Sequence, residues 1–563
     1  MTFENISNTI NAVIKRYWRC AYMASLQKRI TKGHEYWYLS ESKRVNGKVK
    51  TTNTYIGNKK ALEKFLLAED FNIKSYSHGD SCAILKIVKK LDIEDIFDEI
   101  FPHKIKNKIK RSTAFIIISI QRICCPDSKN ALADWYKSTT LLNTFGIKPD
   151  ILSSDFCWQQ MDGITEEELM SCEDAITKKI FELYELKLDK IALDYTNYFT
   201  YIDSLNKKST LAQRGKNKQR RNDLRQFSLA VVTAKELPIP LYSHSYNGNH
   251  NDQTEFETYM NMLKNRIPNY SEEDLTFIFD GGSVNKDNLD LIDKYYICRF
   301  TLSYLNDLYY VEIDEEININ EKTILCKRLN DYIIWGKKRE AVLTFSEALY
   351  VGEVTEFDTK INNAKKDLQE MKIKLESGNN RVKRDVTFID KKINDLLKEK
   401  LKEVVIVEKV NEGNKVVSIN YTIDETQKES IKKKYFGKKL IVTNRSDWST
   451  EEILKTYYDQ DIIEGIFKDS KNPNHFNIRP QYHYTDQKVK VHIFLCLVGL
   501  MLVGVLNKEI KNRGIKISNE KLIDTLGKIR ETQLYNKCSK KVITQLEEMS
   551  AEEELIWNIV NQI

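Results

Sequence analysis

Proline and glycine are scarce in this chain of 563 residues, at 8 and 20. That scarcity excludes a collagen-like repeat and a long Gly/Pro-rich linker. The ten cysteines, spread from Cys20 to Cys538, contain no CxxC pair, which argues against a thiolate zinc ribbon and reads as reduced, buried thiols. No secretory signal is visible at the start, so a cytoplasmic protein is expected. Charge of one sign is missing as well. Lys and Arg number 88 against 81 Asp and Glu, a net +7, so any nucleic-acid binding has to come from local basic patches. The longest apolar run, residues 493–506, falls short of the roughly 20 residues that cross a bilayer, and a buried core helix with no membrane partner is expected. What is present is 41% hydrophobic and 10% aromatic residues, enough for a folded chain of about three to four units.

The texture changes along the chain. Residues 35–39 and 49–56 are aromatic or β-branched runs joined across Asn46-Gly47, a hairpin signal, and 1–75 is read as an N-terminal β-hairpin unit. Apolar spacing of three and four in 83–96, 113–124 and 166–186 makes 76–188 a helical region. Its basic cluster, Lys104, Lys106, Lys108, Lys110 and Arg111, is either a solvated face or a DNA contact. Residues 190–202, 227–233, 239–246 and 275–279 are strand candidates, with helices expected at 252–266 and 285–294. That is a mixed α/β unit spanning 189–305. Residues 306–439 look like inserted material, with charged amphipathic helices within 357–401 broken at 377–380 and a hairpin of 404–410 with 415–422. The α/β unit resumes over 440–510, and 511–563 is expected to be a C-terminal helical region.

Two aspartates close apolar strands. Asp194 ends Ile191-Ala192-Leu193, and Asp280 ends Phe277-Ile278-Phe279 before Gly281-Gly282. A carboxylate at a strand end is presented at the rim of a sheet, where it can hold a hard cation or simply cap the next turn. A third acid comes from the stretch that Ser449-Thr450-Glu451-Glu452 opens as a helix. Read as one helix, Tyr457, Gln460, Glu464 and Lys471 stand at offsets that bring them within roughly 60° of one another. The eight histidines show no metal spacing and are read as structural. Trp448 is read as a staple for the helix that follows.

With these strings on the page, the chain resembles the DDE transposases of bacterial insertion sequences, in the group with a large insertion between the second Asp and the Glu. The resemblance rests on Leu193-Asp194-Tyr195-Thr196-Asn197, on Phe279-Asp280-Gly281-Gly282, on residues 457–471 (YYDQDIIEGIFKDSK), and on 223–226, 247–252 and 479–496. It implies an RNase H-like core in which Asp194, Asp280 and Glu464 are catalytic and hold two Mg2+ ions, with Mn2+ able to substitute. Three carboxylates suit a hard dication, and two metals suit in-line phosphodiester displacement. The implied reaction is cleavage at the element's ends followed by strand transfer into target DNA. The implied partners are the terminal inverted repeats and target duplex, bound by at least a homodimer. Tyr457, Gln460 and Lys471 are expected at the DNA, as are Arg214, Lys216, Lys218, Arg220 and Arg221 of a basic segment after Asp194. Two positions depart from the family: its Arg falls on Gln460, and the Arg that often follows its second Asp is Gly281. A metal-dependent nuclease of the same fold and an inactive DNA-binding remnant stay open as alternatives.

Overall fold

The computed structural model describes residues 23–31, 34–45, 48–58, 71–186, 188–216, 221–268, 270, 274–319, 322–377, 383–479, 481–536 and 542–563. The aromatic and β-branched runs near the start form β1 (Met23–Thr31), β2 (His34–Val45) and β3 (Lys48–Asn58), an antiparallel sheet rather than a lone hairpin. β4 (Phe71–Ser77) pairs instead with β19 (Arg530–Asn536), which pairs with β20 (Val542–Leu546). The last residues of the N-terminal unit thus belong to a sheet shared with the C-terminal region. That C-terminal region is a hairpin flanked by helices Asn519–Gly527 and Ala551–Val560. Between them β5 (Ile105–Lys106) and β6 (Ile109–Lys110) make a two-residue ladder ahead of the buried helix Arg111–Cys124.

The main sheet is mixed and has ten strands. β7 (Lys190–Thr200) is third from one edge, with β9 (Arg225–Ala234) antiparallel beside it and β10 (Leu237–Asn247) at the edge. Short β8 (Gln213–Arg214) pairs with β9. On the other side of β7 come β11 (Thr276–Phe279) and β12 (Tyr295–Phe300), both parallel to it. The helix Asp252–Arg266 covers the sheet between β10 and β11; its Phe256 ring packs on Phe279, and Tyr259 donates to the Tyr242 carbonyl at 2.7 Å. Strands buried on both faces read as continuous apolar runs, and Ile191, Ala192, Leu193, Phe277, Ile278 and Phe279 are all buried.

The stretch read as an insertion divides in two. β13 (Glu315–Ile319), β14 (Lys322–Ile334) and β15 (Lys337–Phe345) extend the same sheet, joining β12 through β18 (Lys438–Thr443). The remainder forms its own small core: the helices Glu347–Glu376 and Val386–Leu396 pack on the hairpin of β16 (Val405–Glu412) and β17 (Lys415–Ile423) through Leu368, Leu375, Ile389, Val416 and Ile419.

Residues 493–506 lie inside a 27-residue helix, Asp486–Asn512, longer than the sequence run suggested. By length and apolarity it could cross a membrane, but its apolar window is 94% buried inside the protein. A helix that is apolar on every side belongs to a core, and here it packs against β10 and the helix Arg111–Cys124.

Candidate active site

Parallel pairing of β7 with β11 brings the first two acids together. Leu193 lies opposite Phe279, so the next residues, Asp194 and Asp280, stand side by side on neighbouring chain segments about 4.8 Å apart. Asp280 follows the last residue of β11, but Asp194 lies inside β7, which stays paired with β9 as far as Thr200, so Asp194 does not end its strand as the sequence suggested. Asp280 heads a one-turn helix yet makes no capping hydrogen bond, and its side chain is exposed. The capping role weighed for Asp280 in the sequence is therefore not the one it plays here. Asp194 is half-buried and accepts from the Tyr195 amide at 2.7 Å.

One continuous helix through Tyr457, Gln460, Glu464 and Lys471 does not form. The chain makes the helix Thr450–Tyr458, turns at Asp459 and Gln460, and resumes as Asp461–Asp469. The apolar pattern explains the break: the stripe of Ile453, Leu454 and Tyr457 would continue onto Gln460, Asp461 and Glu464, whereas the buried residues are Ile463, Ile466 and Phe467. A shift of phase demands a change of direction if both stripes are to face the core. Ser449 accepts from the Glu452 amide at 3.1 Å to start the first helix, and Asp459 pairs with Lys235 at the turn. Arg445 is buried between the rings of Tyr295 at 4.0 Å and Trp448 at 4.1 Å, and holds Thr276 Oγ1 at 2.7 Å. It anchors the connection from β18 to these helices on the strand that carries Asp280.

Tyr457 is only 4% exposed, so it faces inward rather than offering a surface to DNA. Burial and then the nearby Asp280 carboxylate push its hydroxyl pKa upward, against the hydrogen bond to Gln460. Gln460, where the resembled family has Arg, is thus engaged with Tyr457. Lys471 lies past the second helix. It hydrogen-bonds Thr196, two residues along β7 from Asp194, and its Nζ stands 5.4 Å from the Tyr198 ring. Alternation along a strand puts residues 194, 196 and 198 on one face, so a cation accompanies Asp194 on its own side of the sheet.

Glu464 is exposed on the helix Asp461–Asp469, which packs over β7, β9 and β10. Among the described residues no three His, Cys, Asp or Glu side chains gather into a group that could hold a metal ion. The structure brings Asp194 and Asp280 together and leaves Glu464 outside such a cluster. The pair alone fits one requirement of Mg2+, which is commonly held by one or two carboxylates with water and substrate phosphate filling the other positions.

The basic segment after β7 is engaged in part. Arg221 forms a two-pronged pair with Asp223 at 3.0 and 2.9 Å, Arg225 donates to the carbonyls of Ser204 and Asn206, and exposed Arg214 reaches Ser204 at 3.1 Å. Lys216 is exposed; Lys218 and Arg220 lie outside the described residues. In the earlier basic cluster, buried Arg111 donates to the Asp162 carbonyl at 2.7 Å, a structural use. The histidines bind carbonyls and acids: His492 contacts the Ile478 carbonyl at 2.8 Å and His475 contacts Asp524 at 2.7 Å.

Arg299 was missed in the sequence. Cys298 lies opposite Phe279, so Arg299 takes the place beside Asp280 on the next strand, and the row across β7, β11 and β12 reads Asp194, Asp280, Arg299. Both Asp280 and Arg299 open into a cleft of about 750 Å³ between the sheet and the α-helical block that follows β15. The only sequence signal was a basic residue closing an apolar run, Tyr296 to Cys298.

No family model matches the chain, and no curated protein matches it. Among solved structures, the piggyBac transposase in a synaptic complex with hairpin DNA is similar to it at a TM-score of 0.38 and 7% identity, over 80% of this chain and 79% of that one.

Proposed function

We propose that this protein is a DNA transposase of the DDE type with an RNase H-like core, cutting phosphodiester bonds at the ends of an element and joining them to target DNA. The observation that carries the reading is the placement of Asp194, within β7, beside Asp280, just past the end of the parallel strand β11, in a sheet whose first five strands run as a three-stranded meander followed by two parallel additions. A divalent cation bound there supplies the positive charge that activates an attacking oxygen and stabilises a leaving one. Asp194 and Asp280 are its ligands in this proposal; Glu464, outside the pair in this structure, becomes the third only if the helix Asp461–Asp469 shifts on binding. Lys471, fixed on Thr196 beside Asp194, contributes a cation to the negative charge of the reacting phosphate. Tyr457, buried and engaged with Gln460, does not touch the strand in this proposal.

The test is a strand-transfer assay with oligonucleotides carrying the inverted repeats that flank the gene, in Mg2+ or Mn2+. Joined product that disappears in Asp194→Asn, Asp280→Asn and Glu464→Gln supports the proposal. Cleavage without joining supports a nuclease, a shifted but uncut band supports a DNA-binding remnant, and full activity in Glu464→Gln removes that residue from the site.

A further inference from the structure

The cleft beside Asp280 is lined by more cations than acids, and most of those cations form no ion pair. Arg299, Lys398, Lys400, Lys438 and Lys439 all border it, and among the described residues none of the five forms an ion pair. Lys360 on the same wall is different, since Glu356 neutralises it at 2.7 Å. Three of the five, Lys400, Lys438 and Lys439, are partly withdrawn from water. Lys400 lies over the rings of Tyr435 at 4.4 Å and Phe436 at 5.0 Å, and burial lowers its pKa. Burial does the same to Lys438, whose Nζ donates to the Tyr309 carbonyl at 2.7 Å. Holding partly desolvated cations together in excess over acids is costly unless an anion from outside completes the set. The acids of the cleft do not balance its cations: Asp280, Glu353, Glu356 and Glu399 face six basic side chains, Glu356 is paired with Lys360, and Glu353 and Glu399 act on Lys400 without forming an ion pair. Gly281 keeps the entrance tight, because a Cβ there would stand 3.2 Å from the Arg299 carbonyl oxygen.

We propose that this cleft is a phosphate channel for a DNA strand running from Asp280 toward the helical block, with Arg299 gripping the phosphate nearest the carboxylate pair. A guanidinium can take two oxygens of one phosphate at once, whereas Lys398 and Lys439 act as point charges farther along the path. The proposal rests on the transposase reading for its ligand, but it concerns binding and needs no metal.

The test is fluorescence anisotropy with labelled single-stranded and duplex oligonucleotides in EDTA across a salt series. Each phosphate contact adds about 0.7 to 0.9 to the slope of log affinity against log salt. Arg299→Ala is expected to lower that slope by about 1 and Lys398→Ala/Lys439→Ala by about 2, with Arg299→Lys recovering most of the first loss. Exposed Lys398 also serves alone as Lys398→Ala, a substitution that leaves the core untouched. Unchanged slopes in well-folded variants overturn the channel, even if Asp280→Asn still abolishes cutting and so leaves the transposase reading intact. Wild-type protein that binds no DNA at low salt overturns both.

Discussion

Replacing Asp280 by Asn tests the carboxylate pair without requiring any DNA. Two charges on strands about 4.8 Å apart repel by about 1 kcal/mol in a water-like environment and by about 3 to 4 kcal/mol at an effective dielectric of 20. Asp280 is exposed and free of hydrogen bonds among the described residues, so the lower figure applies. Without metal, Asp280→Asn should therefore melt slightly above wild type. A cation that binds only the folded pair reverses the order: at about ten times its Kd it stabilises wild type by about 1.4 kcal/mol, equivalent to about 1 to 3 °C in a unit of this size. Differential scanning fluorimetry with EDTA, Mg2+ and Mn2+ reads both signs. Asp194→Asn should lose the metal shift as completely as Asp280→Asn, and Glu464→Gln reports whether the third acid joins. A wild-type melting temperature indifferent to both metals, or one that rises equally in Asp280→Asn, refutes the reasoning.

Three further outcomes are expected away from the site. Burial, with Arg122 adding to it, pulls the Lys129 ammonium down to about 8 from 10.5. The unfolded chain holds that proton more tightly, so the lysine costs the folded state about 3 kcal/mol below pH 8 and progressively less as pH rises toward 10.5; Lys129→Met should raise the melting temperature at pH 7, with the gain fading by pH 10.5. Burial works against the Glu509 carboxylate, yet hydrogen bonds from Lys90, Tyr184 and Arg513 hold its pKa at about 2 against 4.5. Its stabilisation is complete above 4.5 and lost as pH falls toward 2, so Glu509→Gln should cost about 3 kcal/mol at pH 7 in urea titrations and converge with wild type near pH 2. Gly504 lets the long helix approach β10 so closely that a Cβ would meet Ile239 Cγ2 at 2.2 Å; Gly504→Ala should destabilise by about 1 to 3 kcal/mol in the same assay, and a neutral result would mean that the approach is looser than this.

Local chemistry made much of the framework legible. The runs at 190–202, 227–233, 239–246 and 275–279 became β7, β9, β10 and β11, and the helix at 252–266 has the bounds that its pattern suggested. Asp280 was recognisable because an apolar strand ends on it; Asp194 follows an apolar run too, but its strand continues past it to Thr200, which the run alone did not show. The single helix from Tyr457 to Lys471 failed for an equally local reason: its apolar stripe changes phase between Tyr457 and Ile463, a signal that spacing among the polar residues alone did not show.

Partnership was decided only by tertiary structure. Periodicity of two says that a strand has two faces but not which strand lies beside it, so nothing in the chain announced that β12 would carry Arg299 to Asp280, or that β13, β14 and β15 would extend the sheet from inside the presumed insertion. Burial is likewise a property of neighbours: Tyr457 has the sequence context of a surface contact and only its surroundings turn it inward. The amino-acid order determined which residues end strands and which stripes must be covered, since those follow from the geometry of a few adjacent residues. The fold alone decided that Asp194 and Asp280 stand together while Glu464 joins no such group with them, because that depends on packing between residues far apart in the chain.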